Sequence, residues 1–228
     1  RKEEALQVAA KKLSKYGNCH AKSCDIREPE AIEELAKMIQ ETQGGLDILI
    51  NNAGGQFPAP ANTIAQKGWA AVINNNLNGT FYMSQLISNK FFIPQKSGNI
   101  VNITANVSRG FPGMAHTGAA RAGVENLTKS LGQEWARYHI RVNAVAPGII
   151  ATSGLENYPS QMQEFLKDSE QKNLMKRFGT AEDVSNTVLF LSSPLANYIS
   201  GVTIPVDGLE HLAGDRMELY NKIMSFTN

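Results

Sequence analysis

Four side chains hold the residue types from which a reaction centre could be built. His116 is an imidazole, the side chain that exchanges protons near neutral pH. Beside it stands Thr117, a hydroxyl, and four residues further on comes Arg121. A guanidinium is permanently charged and carries five N–H donors, so it can hold an anion or a hydroxyl but cannot act as a base. Asn76 brings an amide that donates and accepts. Two of them also have an ordinary reading: His116 as a bystander in a loop, Arg121 as a surface residue of an amphipathic helix.

Position comes from the stretch Asn99 to Trp135. The β-branched run Ile100–Thr104 predicts a buried strand, and Arg109-Gly110-Phe111-Pro112-Gly113 a loop. Ala119 to Leu131 then alternates small polar and apolar residues at helical spacing. Strand, loop and helix in this order present side chains at the carboxyl edge of a parallel sheet, where open α/β folds bind ligands. Elsewhere the pattern predicts helices over Lys2–Lys15, Glu30–Thr42, Lys67–Asn89 and Glu182–Leu191. It predicts strands over Cys19–Ile26, Leu46–Ile50, Arg141–Ala146 and Val202–Val206. Alternating strands and helices imply a parallel sheet covered on both faces.

The composition bounds the partners. The 228 residues suit one domain, 1–228, and the 42% hydrophobic and 19% charged content is that of an ordinary globular protein. A net charge of +1 gives no electrostatic case for nucleic acid or a membrane surface. Cys19 and Cys24 fit neither a zinc site nor a disulfide framework, so no metal is expected and a reducing compartment is. No apolar run reaches the roughly 18 residues of a membrane helix, and no targeting signal is visible in this sequence.

The order Asn51-Asn52-Ala53-Gly54, Asn76-Leu77-Asn78-Gly79-Thr80-Phe81, Ile100-Val101-Asn102-Ile103, Arg141–Gly148 and Val206-Asp207-Gly208 resembles the short-chain dehydrogenase/reductase family over essentially the whole chain. The resemblance implies a single-domain α/β fold, a Rossmann-type doubly wound parallel sheet, and a nicotinamide cofactor. On matching positions Asp25 and Ile26 would lie near the adenine, and Asn51, Ala53 and Gly54 along the ribose. Pro147, Gly148, Ile150 and Thr152 would lie near the nicotinamide, with Asn76 as the family's catalytic-site asparagine. The segment 151–176 falls where the family carries a substrate lid, though its helix could equally be packing. Family habit implies a homotetramer built on Lys67–Asn89 and Ala119–Tyr138.

Departures from the family pattern point to the chemistry. The family pairs a tyrosine with a lysine four residues later, opposite a serine on the preceding strand. Here Arg121 takes the lysine position, Thr117 the tyrosine position and Ala105 the serine position. Arg121 can still hold the ribose, while His116 is the titratable group nearest the missing phenol. This pattern, with Gly54-Gly55-Gln56-Phe57, Lys67-Gly68-Trp69 and Ala115–Val124, looks like the peroxisomal trans-2-enoyl-CoA reductase branch. Resemblance to that branch implies reduction of 2-enoyl-CoA thioesters by NADPH rather than NADH, in the cytoplasm or a peroxisome. Phe57, Phe111 and Met114 could line an acyl channel or simply anchor their loops. The alternatives are a 2,4-dienoyl-CoA or 3-oxoacyl reductase, and a silent cofactor-binding member. No Gly-rich phosphate loop occurs near Arg1, although a dinucleotide's pyrophosphate requires one. The expectation is therefore a strand–Gly-loop–helix unit upstream, with Arg1 placed to meet an NADPH 2′-phosphate.

Overall fold

The computed structural model describes residues 3–152 and 169–213. Its centre is a four-stranded, all-parallel sheet in the order β1-β2-β3-β4. The strands are β1 (Ile48–Asn51), β2 (Gly98–Ile103), β3 (Ile140–Pro147) and β4 (Thr203–Val206). Asn51 pairs with Asn102, and Asn102 with Ala144, so the carboxyl ends of β1 to β3 lie level at one edge.

Period-two alternation sorts the strands' side chains between two cores. On one face Leu49, Ile100 and Val142 pack with Ala36 of α2 (Pro29–Gln43), Ile87 of α4 (Gly79–Ile87), and Leu131 and Trp135 of α6 (Ala115–Trp135). Phe91 and Phe92 join this core. On the other face Val101 and Val145 pack against Leu191 of α7 (Ala181–Ser192) and Ala196. Helices on both faces of a parallel sheet make the doubly wound arrangement the alternation predicts. Among the described residues no helix is long and apolar enough to cross a membrane, and both cysteines are free.

Three expectations need correction. The run Cys19–Ile26 forms no strand, because no described strand lies beside it and a ladder needs a partner. It docks by side chains instead: Cys24 Sγ–H donates to Ala31 O, and Ile26 sits where a Cβ on Gly79 would come within 2.7 Å of Ile26 Cδ1. The predicted Lys67–Asn89 helix runs further and is not uniform. It comprises α3 (Gln66–Ile73), a π turn Asn74–Asn78, α4, a π turn Ser88–Phe92 and α5 (Ile93–Gln95). Finally, α6 begins at Ala115, so His116 and Thr117 belong to its first turn and not to a loop. Arg1 and most of the 151–176 segment lie outside the described residues.

Candidate active site

The site grows from the carboxyl ends of β2 and β3. Thr104, just past β2, is tied to β3: its N–H donates to Val145 O at 2.8 Å and its hydroxyl to the same oxygen at 3.1 Å. Its side chain is thereby committed, and the next residue, Ala105, brings no hydroxyl. The loop that follows turns at Gly110 and Gly113, with φ of +81° and +79°, values that glycine adopts without the strain a Cβ would add.

At the start of α6 the backbone N–H groups lack intrahelical acceptors. The imidazole of His116 takes one: Thr117 N–H donates to His116 Nδ1 at 2.9 Å. Nδ1 is then the acceptor nitrogen, which leaves the hydrogen of the neutral ring on Nε2. Nε2 is buried and has no hydrogen-bond partner among the described residues, and the Phe57 ring meets the imidazole at 82° with centroids 4.5 Å apart. Thr117 is fully buried, with its Oγ1 3.4 Å from Nδ1.

One turn further along α6, Arg121 Nη1 donates to Ile103 O at 2.8 Å. Burial pushes this guanidinium down to about 10, leaving it charged at neutral pH. Among the described residues no carboxylate pairs with it. The guanidinium instead overlies Gly54: a Cβ there would collide with Nη2 and stand 2.7 Å from Asn76 Oδ1.

Asn76 occupies the π turn, a distortion that re-aims side chains and is frequent at functional sites. Its amide grips Gly55 from both sides, Nδ2 donating to Gly55 O at 2.7 Å and Oδ1 accepting from Gly55 N–H at 3.3 Å. A second Nδ2 bond goes to Val72 O at 2.9 Å. Asn76 thus fixes the loop beneath Arg121. Asn51 is committed to the core, its Nδ2 donating to Ser84 Oγ and Asn102 Oδ1, each at 2.9 Å. Asn102 in turn donates to Thr128 Oγ1 at 2.9 Å, so one buried polar chain ties β1, β2, α4 and α6. Ala53 and Gly54 remain exposed at the edge of the sheet.

Beyond β3, Pro147 O accepts from Asn106 N–H at 3.0 Å and Gly148 N–H donates to Val206 O at 3.1 Å. Ile150 bridges to Gly179, and Thr152 is exposed. The buried carboxylate of Asp207 organises this side, although sequence reasoning gave it no role. It accepts from Asn106 Nδ2 (3.0 Å), Leu209 N–H (3.1 Å) and His211 N–H (2.9 Å), and meets His211 Nδ1 at 2.8 Å. Its position at the end of the last predicted strand, before Gly208, was the signal available. Glu210 sits beside it, near enough that a Cβ on Gly148 would lie 2.7 Å from its Oε2. Burial first, then the Asp207 charge, pushes Glu210 above the usual carboxylate range.

Asp25 and Ile26 lie apart from this cluster. Arg27 holds the Asp25 carboxylate with Nε at 2.8 Å and with Nη2. Arg27 in turn lines a polar hollow of about 260 Å³ with Glu28, Asn74, Asn78 and Tyr82. Phe111 packs on Gly118, where a Cβ would stand 2.9 Å from Phe111 Cβ, and Met114 is half-buried just before α6. No group of three or more metal-ligating side chains occurs among the described residues.

A family model described as Enoyl-(Acyl carrier protein) reductase matches residues 1–208. The chain belongs to the short-chain dehydrogenase/reductase family. Among its relatives is the "Probable 2,4-dienoyl-CoA reductase [(2E)-enoyl-CoA-producing]" of Bacillus subtilis (strain 168), 36% identical over 91% of this chain and 83% of that protein. Another is the peroxisomal 2,4-dienoyl-CoA reductase [(3E)-enoyl-CoA-producing] of Rattus norvegicus, 38% identical over 96% of this chain and 74% of that one. The solved structure of a short chain dehydrogenase from Bacillus anthracis str. 'Ames Ancestor' superposes with a TM-score of 0.85. It is 37% identical, over 94% of this chain and 85% of that chain.

Proposed function

We propose that the protein reduces the 2,3-double bond of trans-2-enoyl-CoA thioesters with NADPH. One observation carries this reading. On the face of α6 where the family keeps lysine and tyrosine, this chain sets a half-buried guanidinium that has no carboxylate partner among the described residues, and a buried threonine.

The residues present fit a nicotinamide nucleotide. Arg121 commits Nη1 to Ile103 O and keeps further N–H donors above a glycine that has no room for a side chain. Arg121 with Ala53 and Gly54 would hold the ribose, and the backbone of Asn51 would border it. Pro147, Gly148, Ile150 and Thr152 would flank the nicotinamide, Asp25 and Ile26 the adenine, and Arg1 the 2′-phosphate. When bound, the nucleotide supplies a hydride.

Reducing a ketone puts a full charge on one oxygen and calls for a general acid. A threonine hydroxyl does not supply that proton as a phenol does. Conjugate reduction spreads the charge into a thioester enolate, which fixed N–H and O–H donors can hold. Thr117 Oγ1–H, His116 Nε2–H and Arg121 are the donors on α6, with Asn76 positioning the loop opposite. The proton for the α-carbon then comes from water or from His116.

A second reading, 2,4-dienoyl-CoA reduction, uses the same oxygen-centred charge and is favoured by the names of the Bacillus and rat relatives. The test is NADPH and NADH oxidation with crotonyl-CoA, 2,4-hexadienoyl-CoA and acetoacetyl-CoA. Turnover of crotonyl-CoA well above acetoacetyl-CoA supports the proposal, and preference for the dienoyl ester selects the second reading. Tight NADPH binding without turnover of any thioester identifies a silent member.

A further inference from the structure

β3 ends at Pro147, and the backbone that continues through Gly148, Ile149 and Ile150 is tied to its neighbours group by group. Pro147 O accepts from Asn106 N–H at 3.0 Å, Gly148 N–H donates to Val206 O at 3.1 Å, and Ile149 O accepts from Gly179 N–H at 3.0 Å. The Ile149 N–H is answered by a side chain, the carboxyl of Glu210. Glu210 also lies against the preceding glycine: a Cβ on Gly148 would stand 2.7 Å from Glu210 Oε2, 2.8 Å from Asp207 Cβ and 2.9 Å from Asp207 Cα. Position 148 has no room for a side chain because Glu210 and Asp207 already fill the space.

The turn that carries Glu210 to this place is strained. Gly208 and Leu209 take φ of +61° and +71°, and Leu209, unlike glycine, has a Cβ that disfavours that region. The same turn is anchored to other segments at the carboxyl edge of the sheet. The Asp207 carboxylate accepts from Asn106 Nδ2 at 3.0 Å and its carbonyl from Asn173 Nδ2 at 3.3 Å, while Arg109 Nη1 donates to Ala213 O. Burial and the Asp207 charge both oppose ionisation of Glu210, so the fold keeps this carboxyl in place against its own electrostatic preference. Strained backbone and displaced acidities cluster where a fold positions groups for function.

We propose that Glu210 is a positioning residue: it seats the Gly148–Ile149 backbone so that the stretch Pro147–Ile150 presents one fixed edge to the nicotinamide. The proposal rests on the reading of that stretch as the nicotinamide's flank. Glu210 itself touches neither the nucleotide nor the thioester. It acts through the backbone it holds, with an acceptor for Ile149 N–H and a side chain that occupies the place of a Cβ at Gly148. Backbone held from behind in this way offers the ring a single geometry. Released, it offers several, and affinity for the nucleotide falls before the fold does.

The test compares two variants of the full chain. Glu210→Met keeps the length of the side chain and loses the acceptor, whereas Glu210→Gln keeps both. Amide hydrogen exchange is read without nucleotide at Ile149, and at Val101 and Val145 in the core strands. Glu210→Met is expected to speed exchange at Ile149 about tenfold and to change it far less at Val101 and Val145. Glu210→Gln should keep the Ile149 protection. With nucleotide, Glu210→Met should raise KM for NADPH about tenfold and leave KM for crotonyl-CoA unchanged, and Glu210→Gln should restore the wild-type value. Unchanged exchange at Ile149 in Glu210→Met, or a glutamine variant that behaves as the methionine one does, overturns the assignment. Exchange that rises equally in the core strands also overturns it, by reducing Glu210 to a general stabiliser. So does faster Ile149 exchange with an unaltered KM for NADPH. Faster Ile149 exchange in Glu210→Met, where the wild type binds no NADPH, upholds the seat and defeats the nicotinamide reading.

Discussion

The guanidinium of Arg121 occupies the space that a Cβ on Gly54 would need, while its Nη1 donates to Ile103 O at 2.8 Å. Two loops distant in sequence are thus pinned by one buried cation, and a single methyl group would part them. Gly54→Ala should displace Arg121 and lower kcat/KM for NADPH-dependent reduction at least tenfold, because a misplaced charge no longer faces its ligand. The fold should survive, since residue 54 is exposed. Steady-state kinetics beside a thermal melt check both halves.

Arg121 itself separates holding from proton transfer. Arg121→Lys keeps a cation and should retain substantial activity. Arg121→Met removes the charged donors and should reduce NADPH affinity and turnover together, by about a hundredfold or more. Nucleotide titration followed by fluorescence is the measurement. Normal NADPH affinity in Arg121→Met would confine the guanidinium to a structural tie with Ile103.

Asn76 clamps Gly55 through donor and acceptor at once, so charge and geometry can be varied separately. Asn76→Ala leaves Gly55 O and N–H without their partner, a cost of about 1–3 kcal/mol. For a chain of this size that lowers Tm by roughly 2–4 °C per kcal/mol. Asn76→Asp should be worse, since it sets an acceptor against Gly55 O and Val72 O. Urea unfolding with an unchanged m-value and a lower midpoint is the expected result.

Losing the phenol should decide which oxygen chemistry is possible. Thr117 and Ala105 offer no acid to an alkoxide, and absence of a general acid typically costs about 10²–10⁴-fold. Enoyl-CoA reduction should therefore exceed 3-oxoacyl-CoA reduction by about a hundredfold or more under matched conditions. His116→Leu should lower the enoyl rate if its Nε2–H serves the thioester oxygen and leave it unchanged if water alone does. Comparable rates with both esters would end the enolate argument.

Glu210 gives the fold a pH dependence of known sign. Its native carboxyl is held above its unfolded value, so the native state keeps a proton that the unfolded chain has released. Stability conferred by this group is present at low pH and is lost as pH rises from the ordinary glutamate value through the raised one. Glu210→Gln should remove that slope and gain Tm relative to wild type above the window. Melts from pH 4 to pH 8 measure it, and parallel curves for the two proteins would contradict it.

Local pattern by itself determined most of the scaffold. The runs around Leu49, Ile100, Val142 and Ile204 are strands because β-branched and aliphatic side chains fit a sheet buried between helices. The Gly110–Gly113 turn and the Thr117–Arg121 spacing were equally legible in the sequence. Strand status for Cys19–Ile26 was not, because apolar alternation states a preference and only a neighbouring backbone can complete the ladder. The start of α6 was hidden too: no Ser, Thr, Asp or Asn caps it at Met114, and the imidazole of His116 answers a first-turn N–H instead. The π turn at Asn74–Asn78 has no local signature; it lies between α3 and α4 against α6 and aims Asn76 at Gly55. What tertiary structure alone decided is which partners meet: Arg121 over Gly54, Asn76 on Gly55, Asp207 on Asn106 and His211. All but the Asp207–His211 contact, which lies within one turn, join segments far apart in the chain, and sequence spacing carries information only over the few residues that share a turn or a strand.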